Sequence, residues 1–246
     1  MRLNKYLSEH GICSRREADR LAEAGMITVN GHAASPGDQV NEGDEIVVNG
    51  KKVLREAPEK IILAVNKPSG VVCTAKRFPN EENIVDMVAS NVRLYPVGRL
   101  DKDSEGLIFL TNDGAFADEV TKASNHHEKE YEVTVRYPVT DEFVRRMEKG
   151  VYLEELDKQT SACRVRKTGN KAFTIVLTQG LNRQIRRMCK TLGNEVVSLK
   201  RVRIMNVKLD GLKSRESRRL EGKELEELLS ETVRKHKDER TDRSAK

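Results

Sequence analysis

The chain has 246 residues, 37% hydrophobic and 34% charged with both signs mixed, and a formal net charge of +6. That length holds one large domain or a small one joined to a medium one, with enough apolar residues for a core in the larger unit. No run reaches the roughly eighteen continuous apolar residues of a membrane span, and the amino terminus lacks a signal peptide's apolar run, so a membrane or exported protein is not expected.

Residues 1–57 are expected to form a small unit of two helices and short strands. Ser14-Arg15-Arg16-Glu17 has the form of a capping box, and Ala18, Leu21 and Ala22 make an apolar stripe that ends at Gly25. Met26-Ile27-Thr28-Val29 before Asn30-Gly31, and Glu45-Ile46-Val47-Val48 before Asn49-Gly50, are strands that enter tight turns. The charged stretch Lys51 to Glu59, with Pro58 disfavouring helix at Ala57, is the expected link.

A second domain is expected over residues 58–232. Ile61-Ile62-Leu63-Ala64-Val65 is an unbroken apolar run of strand length, so both its faces should be covered. Further strands are predicted at Gly106 to Thr111, Tyr131 to Tyr137, Cys163 to Lys167, Ala172 to Leu177, Val196 to Val202 and Ile204 to Lys208. Helices are predicted at Ile84 to Ser90, Ala115 to Lys122, Asp141 to Lys149, Arg183 to Leu192 and Gly222 to Ser230. Strand runs broken by short helices argue an α+β fold. Residues 233–246, with no apolar residue to bury in Lys235-His236-Lys237-Asp238-Glu239-Arg240, are expected to be a disordered tail.

Four features bear on chemistry. Gly98, Arg99 and Asp101 precede the apolar run Leu107-Ile108-Phe109-Leu110, which places a carboxylate on a loop held by a buried strand. Gly106 would let another backbone or a ligand approach closely, and an aspartate so placed can serve as a nucleophile without a cofactor. Between Arg183 and Arg219 there are twelve Lys or Arg against three acidic residues, a net of +9, which suits a polyanion. Within that stretch Ile185, Met188, Cys189 and Leu192 form an i, i+3, i+4, i+7 stripe, with Arg186 at its border and Arg183, Arg187 and Lys190 off it. Cys13, Cys73, Cys163 and Cys189 show no Cys-x-x-Cys pair and no histidine at metal-ligand spacing, so they read as small apolar side chains in a reducing compartment. A cytoplasmic protein without metal or cofactor is expected.

The run Tyr95-Pro96-Val97-Gly98-Arg99-Leu100-Asp101-Lys102-Asp103-Ser104-Glu105-Gly106-Leu107 resembles the signature loop of pseudouridine synthases, in the form of the RsuA family. Asn66-Lys67-Pro68-Ser69-Gly70, His127-Glu128-Lys129-Glu130-Tyr131 and Gly180-Leu181-Asn182-Arg183-Gln184-Ile185-Arg186-Arg187-Met188 are similar to that family's other motifs, in order and spacing. The Thr178 to Arg183 lead-in and Arg203-Ile204-Met205-Asn206-Val207 look most like the RluF-type branch, which acts on large-subunit (23S) ribosomal RNA. The family commonly carries Gly-x-Trp-Arg-x-Leu near its C-terminus, where this chain, which has no Trp, shows Ser217 before Arg218-Arg219-Leu220.

The resemblance implies a catalytic domain with a mixed, mostly antiparallel sheet flanked by helices. It implies Asp101 as the catalytic carboxylate, Arg186 as the guanidinium that pairs with it and Tyr131 as the active-site tyrosine. Asp101 could attack the anomeric carbon, add to uracil carbon-6 or assist proton loss from the ribose, and the residues do not separate these routes. Arg99 is implied to take the place of a flipped-out base, with Arg183 and Arg187 as further RNA contacts; Lys67, Pro68 and Gly70 read as structural at the end of a buried strand, with Lys67 at most touching phosphate. The N-terminal unit, beginning Arg2-Leu3-Asn4-Lys5-Tyr6-Leu7, resembles the RNA-binding domain first known from ribosomal protein S-four, which assigns Arg2, Lys5, Arg15, Arg16 and Arg20 to RNA. Ribosomal RNA is the expected partner, with tRNA left open as a second substrate and a monomer as the family expectation. The alternative is a non-catalytic RNA-binding assembly factor, which would tolerate Asp101→Asn.

Overall fold

The computed structural model describes residues 1–54, 56–75 and 78–243, with side chains through Thr232; Arg55 of the expected link and residues 244–246 of the expected tail lie outside the described residues. The chain divides into two compact units, one of Met1–Ile61 with Ser90–Leu94 and Asn112–Gly114, the other of the remainder.

In the first unit, α1 (Leu3–Glu9) and α2 (Arg15–Glu23) accompany a four-stranded sheet of β1 (Ile27–Val29), β2 (His32–Ala33), β3 (Ile46–Val48) and β4 (Lys51–Lys52), in the order β2-β1-β3-β4. Both Asn-Gly pairs close two-residue hairpins, Val29 facing His32 and Val48 facing Lys51. Asn30 and Asn49 lie at φ 51° and 50°, the left-handed conformation that such turns require. The Ser14 hydroxyl accepts from the Glu17 amide at 3.1 Å, whereas the Glu17 carboxylate is ion-paired with Arg20, so half of the capping box forms. Leu3, Leu7, Ala18, Ala22, Ile27 and Ile46 fill a separate core.

The second unit is built on one mixed sheet. Its strands are β5 (Ile62–Lys67), β6 (Tyr95–Val97), β7 (Glu105–Thr111), β8 (Lys129–Val135), β11 (Arg164–Gly169), β12 (Ala172–Leu177), β13 (Val196–Ile204), β14 (Val207–Lys208) and β15 (Ser217–Arg219). The order is β11-β12-β8-β13-β7-β5-β15, with β14 on β13 and β6 on β7; the β13–β7 pair is parallel and the other pairs are antiparallel. Four helices, α3 (Gly114–Thr121), α4 (Asp141–Glu148), α5 (Gln184–Thr191) and α6 (Gly222–Arg243), and the small hairpin β9 (Tyr152–Leu153) with β10 (Lys158–Gln159) complete it. This is the α+β architecture expected, and all six residues of β5 are buried, as its unbroken apolar run requires. One core cluster joins β8, β12 and β13 to α4 and α5 through Val133, Phe173, Phe143, Met147 and Met188; the other joins β5 and β7 to α3 and α6 through Ala64, Phe109, Phe116 and Leu228.

Local differences from expectation have local causes. The predicted helix Ile84 to Ser90 is a four-residue 3-10 turn, Ile84–Met87, capped by the Asn83 side chain and ended by extended Val88. The predicted strands Val196 to Val202 and Ile204 to Lys208 are one strand to Ile204 and a short return, because Met205 at φ 54° makes a hairpin that faces Ile204 with Val207. β15 has no apolar signature; it is a charged edge strand, Ser217-Arg218-Arg219, of the kind that discourages further pairing. Backbone of α6 continues through Arg243, beyond the predicted end at Ser230 and into the stretch expected to be unstructured. The Glu-, Lys- and Arg-rich composition beyond Ser230 favours helix by intrinsic propensity, and side chains beyond Thr232 lie outside the described residues.

Candidate active site

Asp101 lies on the connection between β6 and β7, an antiparallel pair in which Val97 faces Phe109. One edge of β7 is shared by two strands. β13 pairs with it at Glu105 and Gly106, and β6 pairs with it from Phe109 to Thr111. In the gap between them the Leu107 carbonyl accepts from Arg201 Nε at 2.7 Å. Gly106 has φ 104°, and a Cβ there would lie 2.2 Å from the Arg201 carbonyl oxygen, so the close backbone approach expected of this glycine is provided by β13.

A single row of residues then crosses the sheet beside the loop. Lys67 of β5 faces Gly106 of β7, Gly106 faces Arg201 of β13, and Arg201 faces Tyr131 of β8. Lys67 is fully buried, which removes it from the surface contact with phosphate that the sequence implied. Its position at the end of an all-buried strand turns Nζ toward the backbone, where it donates to Pro68 O at 2.8 Å and Lys102 O at 3.3 Å, a structural role. The Gly70 amide also donates to Lys102 O, at 2.7 Å, and the Ser104 amide to Asp101 O at 3.1 Å. The Asn66 to Gly70 segment therefore braces the aspartate loop from beneath. Burial lowers the Lys67 pKa from its ordinary value, opposed by the Cys73, Asp103, Asp101 and Glu105 charges.

α5 closes over the loop. Arg183, its N-cap at φ 49°, donates to both carboxylate oxygens of Asp103 at 3.0 and 2.9 Å, and one of its nitrogens is 3.6 Å from Asp101 Oδ2. Arg186 instead donates to Asp103 O at 3.0 Å, to Ser104 Oγ at 3.4 Å and to Val196 O at 3.4 Å, and lies 3.3 Å from Asp103 Oδ2. The expected Asp101–Arg186 pair is thus replaced by Asp101–Arg183. Arg186 sits on the buried side of the helix, with its side chain 14% exposed, and reaches the loop backbone; Arg183, 41% exposed, reaches the carboxylates from above. The Arg183 hydrogen bonds, reinforced by the Arg186 charge, hold the Asp103 carboxyl below the usual range and raise the Arg183 pKa in turn.

Tyr131 is half-buried and packs against the core beneath β8 and β12. Arg99 is exposed and has no hydrogen-bond or ion-pair partner among the described residues. Arg187 is held internally, by Asn182 O at 3.0 Å, Asn182 Oδ1 at 3.2 Å and an ion pair with Glu155. Beside the loop opens a cleft of about 890 Å³, lined by Asp103, Arg183, Arg186, Arg187 and Lys190 among others; Asp101 and Tyr131 are not in its lining. In the first unit Arg2, Lys5, Arg15, Arg16 and Arg20 are all exposed, with Lys5 3.7 Å from Glu9 and Arg20 paired with Glu17. Burial pushes the Cys163 thiol up to about 11 and the Cys189 thiol to about 12, in keeping with inert apolar side chains.

Arg201 and Glu155 were absent from the sequence expectations, and Asp103 entered them without a role of its own in the synthase reading. Arg201 is 3% exposed, and its Nη2 is buried without a partner. The period of two that puts Leu199 inside puts Arg201 on the same face, a legible signal of a buried charge. Asp103 was overshadowed by Asp101, and Glu155 lies on a hairpin with no motif.

A family model described as RNA pseudouridylate synthase matches residues 61–191, and the S4 domain model matches residues 1–46. The dual-specificity RNA pseudouridine synthase RluF of Salmonella typhi is 52% identical over 229 residues, which is 93% of this chain and 78% of that one. The ribosomal large subunit pseudouridine synthase B of Bacillus subtilis strain 168 is 35% identical over 234 residues, 92% of this chain and 95% of the relative. A crystal structure of a pseudouridylate synthase superposes with a TM-score of 0.69 at 29% identity, covering 93% of this chain and 99% of the other.

Proposed function

The chain belongs to the RNA pseudouridylate synthase family, and from that premise we propose that it converts uridine to pseudouridine at a defined position of ribosomal RNA, large-subunit 23S rRNA in the first place. The observation that carries this reading is the signature aspartate, Asp101, on a loop braced from below by Lys67 and Gly70 and from above by Arg183 and Arg186. A second RNA class, tRNA, fits the dual specificity in the name of the RluF relatives.

The reaction breaks the bond from ribose to uracil N1, turns the base and joins the ribose to carbon-5; the carbon-5 proton leaves and N1 gains one. Neither water nor a redox partner is consumed. Asp101 supplies the carboxylate that reacts with the nucleoside, and Arg183, 3.6 Å away, supplies its counter-charge. Arg186 acts through the loop backbone, since its bonds to Asp103 O and Ser104 Oγ fix where Asp101 stands. Tyr131 offers an aromatic face to the extruded uracil, and exposed Arg99 fills the stack that the base has left, offsetting a few kcal/mol of lost stacking.

In this reading residues 1–57 are the RNA-binding domain, anchored through Arg2, Lys5, Arg15, Arg16 and Arg20, and residues 58–232 are the catalytic domain. The protein acts in the cytoplasm as a monomer. No helix among the described residues is long and apolar enough to cross a membrane, which is compatible with that location. Pseudouridine mapping of total RNA from cells lacking the protein tests the proposal. One 23S position should revert to uridine, with a tRNA position beside it if the second substrate is used, and an unchanged map would refute the proposal.

A further inference from the structure

The chemistry described above leaves Glu155 without a part. It stands on the 3-10 turn Glu154–Leu156 between β9 and β10, a turn that Asp157 ends at φ 49°. Its carboxylate is ion-paired with Arg187 and lies 3.0 Å from Lys190 Nζ, two cations three residues apart on α5. All three line the cleft that also holds Asp103, Arg183 and Arg186. The cleft wall thus carries two pairs of cations, each bridged by a carboxylate. A third acid in the lining, Glu195, is taken by Arg136 at 2.7 Å.

The two bridging carboxylates differ in what holds them. Asp103 is part of the aspartate loop, so it cannot leave without moving Asp101. Glu155 is 53% exposed, its carboxylate has no other partner among the described residues, and it rides on a hairpin of two-residue strands. Arg187, by contrast, keeps its guanidinium in place through Asn182 whether or not Glu155 is there. Two anchored or nearby cations bridged by a displaceable carboxylate have the geometry of an anion site closed by an internal anion.

We propose that Arg187 and Lys190 form a subsite for one backbone phosphate of the RNA, and that Glu155 occupies this subsite in the free protein and competes with RNA for it. This rests on the reading of RNA as the substrate and adds a source of selectivity to it. An RNA seated elsewhere in the cleft displaces Glu155, whereas an RNA held by charge alone does not and loses one phosphate contact.

The test measures binding of the full chain and its E155Q variant to a 23S rRNA transcript and to poly(U) over a series of KCl concentrations. One added phosphate contact steepens the log-log salt slope by about 0.7, which amounts to about fivefold in affinity at 0.1 M relative to 1 M salt. E155Q should gain roughly that slope and affinity on poly(U) and clearly less on 23S rRNA. The gain should vanish in E155Q/K190Q, and thermal melts establish that each variant is folded. E155Q that matches the wild type on poly(U), or gains equally on both RNAs, would overturn the inference. A wild-type chain that forms no pseudouridine in 23S rRNA and binds it no better than poly(U) would instead sink the substrate reading, and the inference with it.

Discussion

Replacing Gly106 by alanine probes the junction on which the aspartate loop depends. The added Cβ would stand 2.2, 2.6 and 2.9 Å from the O, N and C atoms of Arg201, all backbone, so no side chain can rotate out of the way. Gly106 also has φ 104°, a conformation that costs a residue with a side chain about 1–3 kcal/mol. Relief requires β13 to draw away from β7, which gives up the pairing at Glu105 and Gly106 and the Arg201 bond to Leu107 O. Overpacking of this kind costs about 1–3 kcal/mol, so the total should be about 4 kcal/mol. Gly98→Ala is the internal control. Gly98 is at φ 72°, but its Cβ would meet Thr121 Cγ2 at 3.4 Å, an ordinary contact, so about 1 kcal/mol from the backbone alone is expected. Urea unfolding followed by circular dichroism separates the two, and the difference of about 3 kcal/mol corresponds to more than a hundredfold in the unfolding equilibrium. A Gly106→Ala chain no less stable than Gly98→Ala would refute the close β7–β13 approach.

Further outcomes follow from the loop's anchors. Arg183→Ala removes the charge beside Asp101 and the paired guanidinium of Asp103, so single-turnover pseudouridine formation should fall by about two orders of magnitude, with the melting temperature lowered by the loss of the Asp103 ion pair. Arg186→Ala takes a mostly buried donor from the loop backbone, so it should lower stability by about 1–3 kcal/mol as well as turnover, both read on the same preparation. Arg183 depresses the Asp103 pKa, so the ion pair stabilises the fold fully above the ordinary carboxylate pKa of about 3.9, and that contribution is lost as pH falls through the lower folded value. Asp103→Asn should therefore flatten the acid limb of stability below the ordinary carboxylate pKa of about 3.9, as followed by acid titration of the circular dichroism. Exposed Arg15 and Arg16, changed together to Gln, should make the log-log salt slope for rRNA shallower by about 1.4 while the single-turnover rate at saturating RNA is retained.

Elements governed by nearest neighbours were legible in the chain. Asn30-Gly31 and Asn49-Gly50 dictated their hairpins, the Ser14 hydroxyl its cap, and Ile185, Met188 and Cys189 the buried face of α5, because each signal acts within a turn or two of helix or strand. The site was legible as a set of residues and less so as a set of partners. Arg183 and Arg186 differ by three positions on one short helix, and which of them meets Asp101 depends on where α5 crosses the loop, a long-range property with no local code. Lys67 was legible as structural from the unbroken apolar run before it, whereas the Lys102 carbonyl that accepts from its ammonium in place of phosphate lies on a distant loop and had no local signal. Glu155 was invisible because its partners lie more than thirty residues away on α5.

The most direct test of the account is tritium release from a 23S rRNA transcript labelled at uracil carbon-5, with wild-type protein and Asp101→Asn side by side and binding measured on the same samples. The account predicts stoichiometric release by the wild type and none by Asp101→Asn, which should still bind the transcript. Release by the asparagine variant at a comparable rate would contradict it.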